Sequence, residues 1–239
     1  MARYFGKRSK YLLKKNFEYD SKSLVFFLLA LVLFSAATKF FSSNSYLYII
    51  LMLIFVIPLM KILRRRSFFY KHKSKNYEHG DAGEYEVKKV LIRLDDQYSI
   101  YPDVHLNGQR WNIDYVVCGP TGLFTIEVKN IHPGKIEFTN SVLTNDGYPL
   151  SGMINEAVRE YNGLNQHCKN QLSAEIFVKP ILVFTNSRST VNFGLHPVIR
   201  NIQIVQKEWL LKAITEQPLY TFPIPRDRID DELKKLVMQ

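Results

Sequence analysis

Two long apolar runs open the chain, and beyond them the spacing of hydrophobic positions changes several times. Residues 24–41 and 46–63 are apolar almost throughout, each roughly 18 residues, near the lower limit for crossing a bilayer core. The first carries one charge near its end, Lys39, and the second has none before Lys61. Only Ser42-Ser43-Asn44-Ser45 separates them, so the pattern predicts a transmembrane helical hairpin. Farther on, Val87, Leu91 and Leu94 recur at helical spacing. They follow Asp81-Ala82-Gly83-Glu84, which reads as a capping box with Asp81 as N-cap and Glu84 at the third helical position. Strands are expected at 98–106 and, after Asn107-Gly108, within 111–130, where the chain turns back at Gly119-Pro120-Thr121-Gly122. A short ribbon, 135–138 with 141–144, ends at Asn145-Asp146-Gly147. Helical spacing returns at 153–172, with Ile154, Val158, Tyr161 and Leu164 near one face. A mostly apolar strand at 177–184 contains Lys179-Pro180, a step suited to an edge or a bulge. A strand at 202–205 and short helices at 207–215 and 227–237 complete an α/β pattern.

The stretch Trp111 to Asn130 carries the candidate chemistry. Pro at the second turn position and Gly at the fourth suit a type I turn. A turn centred there sets Asp114 directly opposite Glu127 on the facing strand. Alternation puts Glu127 and Lys129 on one face, with Ile126 and Val128 on the other. Facing carboxylates repel, so such a pair stays either solvated or bridged by a cation. Mg²⁺ suits this donor set, since it takes one or two carboxylates and fills its remaining positions with water and substrate phosphate. Lys129 would place an ammonium beside it. Those are the parts of metal-assisted phosphodiester hydrolysis: Lewis acid, activated water and charge stabiliser. Glu-x-Lys alone usually marks a solvated strand face; the opposed Asp114 is what distinguishes this one.

Three separated motifs occur in order: Gly83-Glu84, then Asn112-Ile113-Asp114-Tyr115-Val116-Val117, then Gly122-Leu123-Phe124-Thr125-Ile126-Glu127-Val128-Lys129-Asn130. Together they resemble the nuclease-related domain, a family placed in the PD-(D/E)xK nuclease superfamily. The resemblance spans about residues 77–185. It implies a restriction-endonuclease-like core of helix, three-stranded meander, helix and strand. It also implies a nuclease centre in which Asp114 and Glu127 hold Mg²⁺ (or Mn²⁺), with Glu84 and Lys129 as further catalytic groups. Where family members commonly carry Gln before Ile-Asp, this chain has Asn112, and at the start of the following helix it offers Asn155-Glu156 in place of a Gln. Asn112, Asn155 and Arg159 are candidate nucleic-acid contacts, as is Asn162. A capping carboxylate accounts for Glu84 equally well, and a solvated polar face accounts for the helix residues.

Charge distribution narrows the picture. The chain has 239 residues and a net charge of +10. Residues 1–75 hold 15 Lys/Arg against 2 acids, and residues 76–239 hold 17 against 20. The basicity therefore lies around the apolar runs, and the domain carrying the motifs cannot claim DNA binding from its charge. Basic residues flank both runs while the loop between them has almost none, which predicts a multi-pass cell-membrane protein with its N-terminus and globular domain in the cytoplasm. The expected organisation is a basic segment at 1–23, two transmembrane helices within 24–63, a basic linker at 64–79 and the nuclease-like domain at 80–239. Ser35-Ala36-Ala37 also permits a cleaved secretory signal, although the basic start is long for one. A pore is disfavoured, because Lys39 alone offers no ionisable pathway.

Other chemistries lack their signatures. No P-loop occurs, the six histidines form no helical pair for zinc, and Cys118 and Cys168 make neither a metal spacing nor a disulfide framework. His132, just beyond Lys129, reads as an ordinary loop histidine. The sequence therefore predicts a membrane-anchored Mg²⁺-dependent nuclease acting on DNA rather than RNA, with a lipid bilayer as its second partner. The alternative is a non-catalytic membrane-tethered module that binds nucleic acid or protein on the same fold.

Overall fold

The computed structural model describes residues 1–6, 11–40, 54, 56–139, 142–186, 190–191 and 198–237. The chain forms two compact units, one made of Met1–Ser9 with Ala82–Gln239 and the other of Lys10–Asp81.

In the smaller unit α1 (Tyr11–Phe40) lies antiparallel to the first part of α2 (Ile57–Leu91). Ser67 Oγ donates to the Ser23 carbonyl at 3.0 Å, Lys71 pairs with Asp20, and Ser74 Oγ donates to Asn16 Oδ1. Tyr19 stacks on Tyr70 and Tyr77, with ring centroids 5.8 and 5.5 Å apart. A helical pair thus forms, but the two transmembrane spans and the lipid bilayer partner are not supported. Among the described residues, no helix is long and apolar enough to cross a membrane. Residues 24–40 of the first apolar run are only the distal part of α1, whose proximal turns carry Lys14, Lys15, Glu18, Asp20 and Lys22. Most of the run at 46–63 lies outside the described residues.

The helix expected to begin at Asp81 instead passes through that position, since α2 continues unbroken from Ile57 to Leu91. Residues 64–79 contain neither proline nor glycine. Gly80 and Gly83 each cost about 1 kcal/mol relative to alanine inside a helix, too little to end one that is packed. Val87, Leu91 and Leu94 are buried, as their spacing requires.

Among the described residues, the larger unit is built on a mixed seven-stranded sheet. Its strands are β1 (Arg3–Tyr4), β2 (Ser99–His105), β3 (Asn112–Gly119), β4 (Gly122–Lys129), β8 (Val178–Phe184), β10 (Val198–Ile199) and β11 (Ile202–Gln206), in the order β1-β2-β3-β4-β8-β11-β10. The central β2-β3-β4 meander is antiparallel, and β8 then joins β4 in parallel after the crossover helix α3 (Ser151–Leu172). A second sheet contains β5 (Lys135–Thr139), β6 (Val142–Asn145), β7 (Tyr148–Pro149) and β9 (Thr190–Val191). Its β6–β7 turn has Asp146 and Gly147 both at positive φ, 48° and 80°, the conformation that an Asp-Gly hairpin turn favours. The closing helices are α4 (Leu210–Thr215), entered through a 3-10 turn at Lys207–Trp209, and α5 (Arg226–Val237).

Alternation along the strands divides the core between the two sheet faces. Tyr115, Val117, Phe124, Ile126, Ile181 and Val183 pack with Val87 and Leu91 of α2 and with Leu210 and Ile214 of α4. Val116, Cys118 and Leu123 pack with Leu164 and Cys168 of α3 and Leu233 of α5. Leu182 and Phe184 meet Ile154 and Ala157 near the start of α3. The strand with Lys179-Pro180 is central, not an edge. Pro180 is accommodated because pairing with β11 begins only at the next residue, Ile181 with Gln203.

One buried acid ties the sheet edge to the last helix. Asp230 of α5, 3% exposed, accepts from Tyr101 Oη at 2.7 Å and Ser99 Oγ at 3.4 Å, with Arg3 Nη2 at 3.4 Å. Removing this acceptor strands buried hydroxyls. Asp230→Ala is expected to lower stability by about 2–4 kcal/mol, and Asp230→Asn by less, read from denaturant midpoints.

Candidate active site

The β3–β4 ladder runs from Gly119 paired with Gly122 to Tyr115 paired with Ile126. This register, required by the turn, brings Asp114 level with Glu127 one step beyond the last pair. There Asp114 Oδ2 accepts the Val128 N–H at 2.8 Å, so a side chain takes over where the ladder ends. On the other side of β4, Glu127 is level with Leu182 and Lys129 with Phe184. Parallel neighbours share a face, and both of those apolar side chains lie against α3. Glu127 and Lys129 therefore project toward α3. Asp114 follows the alternation of Val116 and Cys118 to the same side.

Helix α3 answers with two acids one turn apart, Glu156 and Glu160. Lys129 Nζ bridges Glu127 Oε1 and Glu156 Oε2, the latter at 2.7 Å. Glu127 is nearly buried and Glu156 is 42% exposed at its side chain, so the site opens to solvent along the Lys129–Glu156 side. Glu160, 2% exposed, hydrogen-bonds Glu127, while its Oε2 is buried with no hydrogen-bond partner among the described residues. Glu84 enters from α2. Gly83 makes that approach possible: a Cβ there would stand 2.8 Å from Asn130 Cβ and 3.2 Å from Thr185 Oγ1. Tyr115 Oη donates to the Glu84 carbonyl at 2.9 Å, fixing α2 to β3.

Electrostatics follow from this crowding. Burial, then repulsion from Glu127 and Glu84, push the Asp114 carboxyl well above the usual range, against the Val128 N–H and the Lys129 charge. Burial, then repulsion from Glu127 and Asp114, push Glu160 strongly upward as well. Lys129 moves the other way from what burial alone would do: Glu127 and Glu156 outweigh desolvation and hold its ammonium protonated more firmly than usual. The site thus gathers more acid than Lys129 and Arg159, whose Nη2 lies 3.9 Å from Glu160 Oε1, can neutralise.

Of the residues expected at this site, Asp114, Glu127 and Lys129 come together, and Glu84 acts on Asp114 through charge. The candidate nucleic-acid contacts are engaged within the protein. Asn112 Nδ2 donates to Asp103 Oδ1 at 2.6 Å, and Asn155 Oδ1 accepts from Arg200 at 3.0 Å. Arg159 lies over the Trp111 ring at 5.0 Å, and Asn162 is exposed. His132 is an exposed loop residue. Glu160 was not anticipated, although a signal was present. The buried stripe of α3 is Ile154, Ala157, Glu160, Leu164, Cys168 and Leu172, so an acid occupies an apolar period that Val158 and Tyr161 only flank.

Oxygen donors of this kind fit Mg²⁺ or Mn²⁺. Among the described residues, no three His, Cys, Asp or Glu side chains converge to hold an ion by themselves. Mg²⁺ ordinarily takes one or two carboxylates from a protein, a number that Asp114 and Glu127 could supply. The surplus of acid is the charge environment a divalent cation relieves.

The model of the nuclease-related domain matches residues 79–185, which include α3, the β2-β3-β4 meander, β8 and the site. No curated protein and no solved structure matches the chain.

The raised Glu160 fixes a sign. An acid that holds its proton more tightly when folded takes up a proton on folding, so stability falls as pH rises above the ordinary glutamic acid value of about 4.3. Glu160→Gln is therefore expected to be more stable than the parent chain at pH 8, by about 1–3 kcal/mol, with the gap closing toward pH 4.5. Thermal melting across that range measures it.

Proposed function

We propose that the domain at residues 79–185 hydrolyses nucleic-acid phosphodiester bonds with the help of Mg²⁺ or Mn²⁺, and that DNA is its substrate. The observation that carries this reading is the meeting of Asp114, Glu127 and Lys129 on the α3 side of β3 and β4, within a region that matches the nuclease-related domain. Asp114 and Glu127 would hold the ion. The ion, when bound, supplies Lewis acidity and lowers the pKa of water.

The chain's own groups have separable tasks. Lys129 keeps its proton and offsets charge that builds on the phosphate. The Val128 N–H holds one Asp114 oxygen in place, so that carboxylate is oriented before an ion arrives. Glu84 adds negative charge beside Asp114, which favours cation over proton once a divalent ion competes for the site. Because the region after residue 75 is slightly acidic, phosphate binding there depends on the ion and Lys129 and not on a general basic surface.

The test is cleavage of supercoiled plasmid, duplex and single-stranded DNA, and RNA by the purified chain with Mg²⁺ or Mn²⁺, against a chelated control. Cleavage is expected to require the ion. Asp114→Asn and Lys129→Ala are each expected to reduce it by about 100-fold or more while remaining folded. A folded wild-type chain that cuts none of these substrates refutes the reading.

A further inference from the structure

The two acids of α3 are spaced to match the two polar residues of β4. Glu156 and Glu160 are one helical turn apart, a rise of about 6 Å. Glu127 and Lys129 are two strand residues apart, about 6.7 Å. Helix and strand therefore present pairs of nearly equal pitch, and each member meets a partner: Glu156 with Lys129 at 2.7 Å, and Glu160 with Glu127. The Glu160 side chain is 3% exposed; its Oε1 lies 3.9 Å from Arg159 Nη2, and its Oε2 is buried with no partner among the described residues. A buried acid in an apolar helix stripe costs stability, and packing alone would be better served by leucine.

We propose that Glu156 and Glu160 form a clamp that positions the Glu127–Lys129 pair, with Glu160 as the positioning residue for Glu127. Glu156 restrains the Lys129 ammonium at the solvent side of the site. Glu160 bears on Glu127 from beneath α3 and keeps its carboxylate turned toward Asp114. The clamp is local to this chain's α3 and β4. Its effect on catalysis rests on the nuclease reading given above.

The experiment uses the full chain carrying Glu160→Leu, Glu160→Gln or Glu156→Gln, with Mn²⁺ titrated by calorimetry and plasmid cleavage followed in parallel. Glu160→Leu fills the space without a hydrogen bond and is expected to weaken Mn²⁺ binding by about tenfold or more, with cleavage falling in step. Glu160→Gln keeps a donor toward Glu127 and is expected to stay within about threefold of the parent. Equal damage from Gln and Leu would overturn the proposal, since the carboxylate would then act on the ion directly. A harmless Leu would overturn it too. A double-mutant cycle between Glu160→Leu and Glu127→Gln, read in Tm, tests the clamp without any turnover. Non-additivity of about 3 °C or more is expected, and additivity within about 1 °C refutes the coupling. If the parent binds no Mn²⁺ and cuts nothing, the nuclease reading fails alone and the cycle still decides the clamp.

Discussion

Where β4 meets α3, one ammonium is shared among more carboxyls than it can neutralise. Lys129 bridges Glu127 and Glu156, while burial and then repulsion from neighbouring carboxylates, Glu127 foremost, raise Asp114 and Glu160 above the usual acid range. Folding therefore crowds acidic groups into a half-enclosed place, and burial there makes two of them hold their protons, against the ordinary preference of proteins to pair or solvate such groups. The rest of the larger unit can be understood as the frame that sustains this concentration.

That frame is made of strands that cannot slip. A one-residue shift of β3 against β4 would send Asp114 to the opposite sheet face and bury it among Val87, Leu91 and Ile126. The tight Gly119–Gly122 turn and the two apolar faces forbid it. Parallel pairing with β8 then fixes Glu127 and Lys129 beside α3, because Leu182 and Phe184 must reach the apolar residues of that helix. Gly83 lets α2 come close enough for Glu84 to be felt at the same point. On the far side, Asp230 locks α5 to β1 and β2, so the meander is held at both margins.

Outside that frame, the chain's strongest hydrophobic signal has the least to do with the site. Residues 24–40 lie in a helix whose charged first half pairs with α2 through Asn16, Asp20 and Ser23, and no described helix meets the length and apolarity that crossing a membrane requires. Hydropathy averaged over a window is blind to partners. The polar contacts that hold α1 to α2 come from residues next to the run, and within it Phe26 stacks on Tyr70.

What the sequence alone determined is everything that depends on short range. The turn chemistry at Pro120 set the register of Asp114 against Glu127, and alternation set the shared side of Glu127 and Lys129. The apolar periods of Val87, Leu91 and Leu94 marked a buried helix face, although Asp81 proved to lie inside that helix and not at its start. Only the tertiary structure decided which distant side chains complete the site. Glu160 could not be recognised as part of it until α3 was laid across β4, because an acid in an apolar stripe acquires meaning only from what faces it. Asn155 and Arg159 were likewise redirected to Arg200 and Trp111 by neighbours remote in the chain, and Asn112 to Asp103 on the adjacent strand. Turns and alternation are written in adjacent residues, whereas burial, repulsion and shared charge arise between segments that only folding brings together.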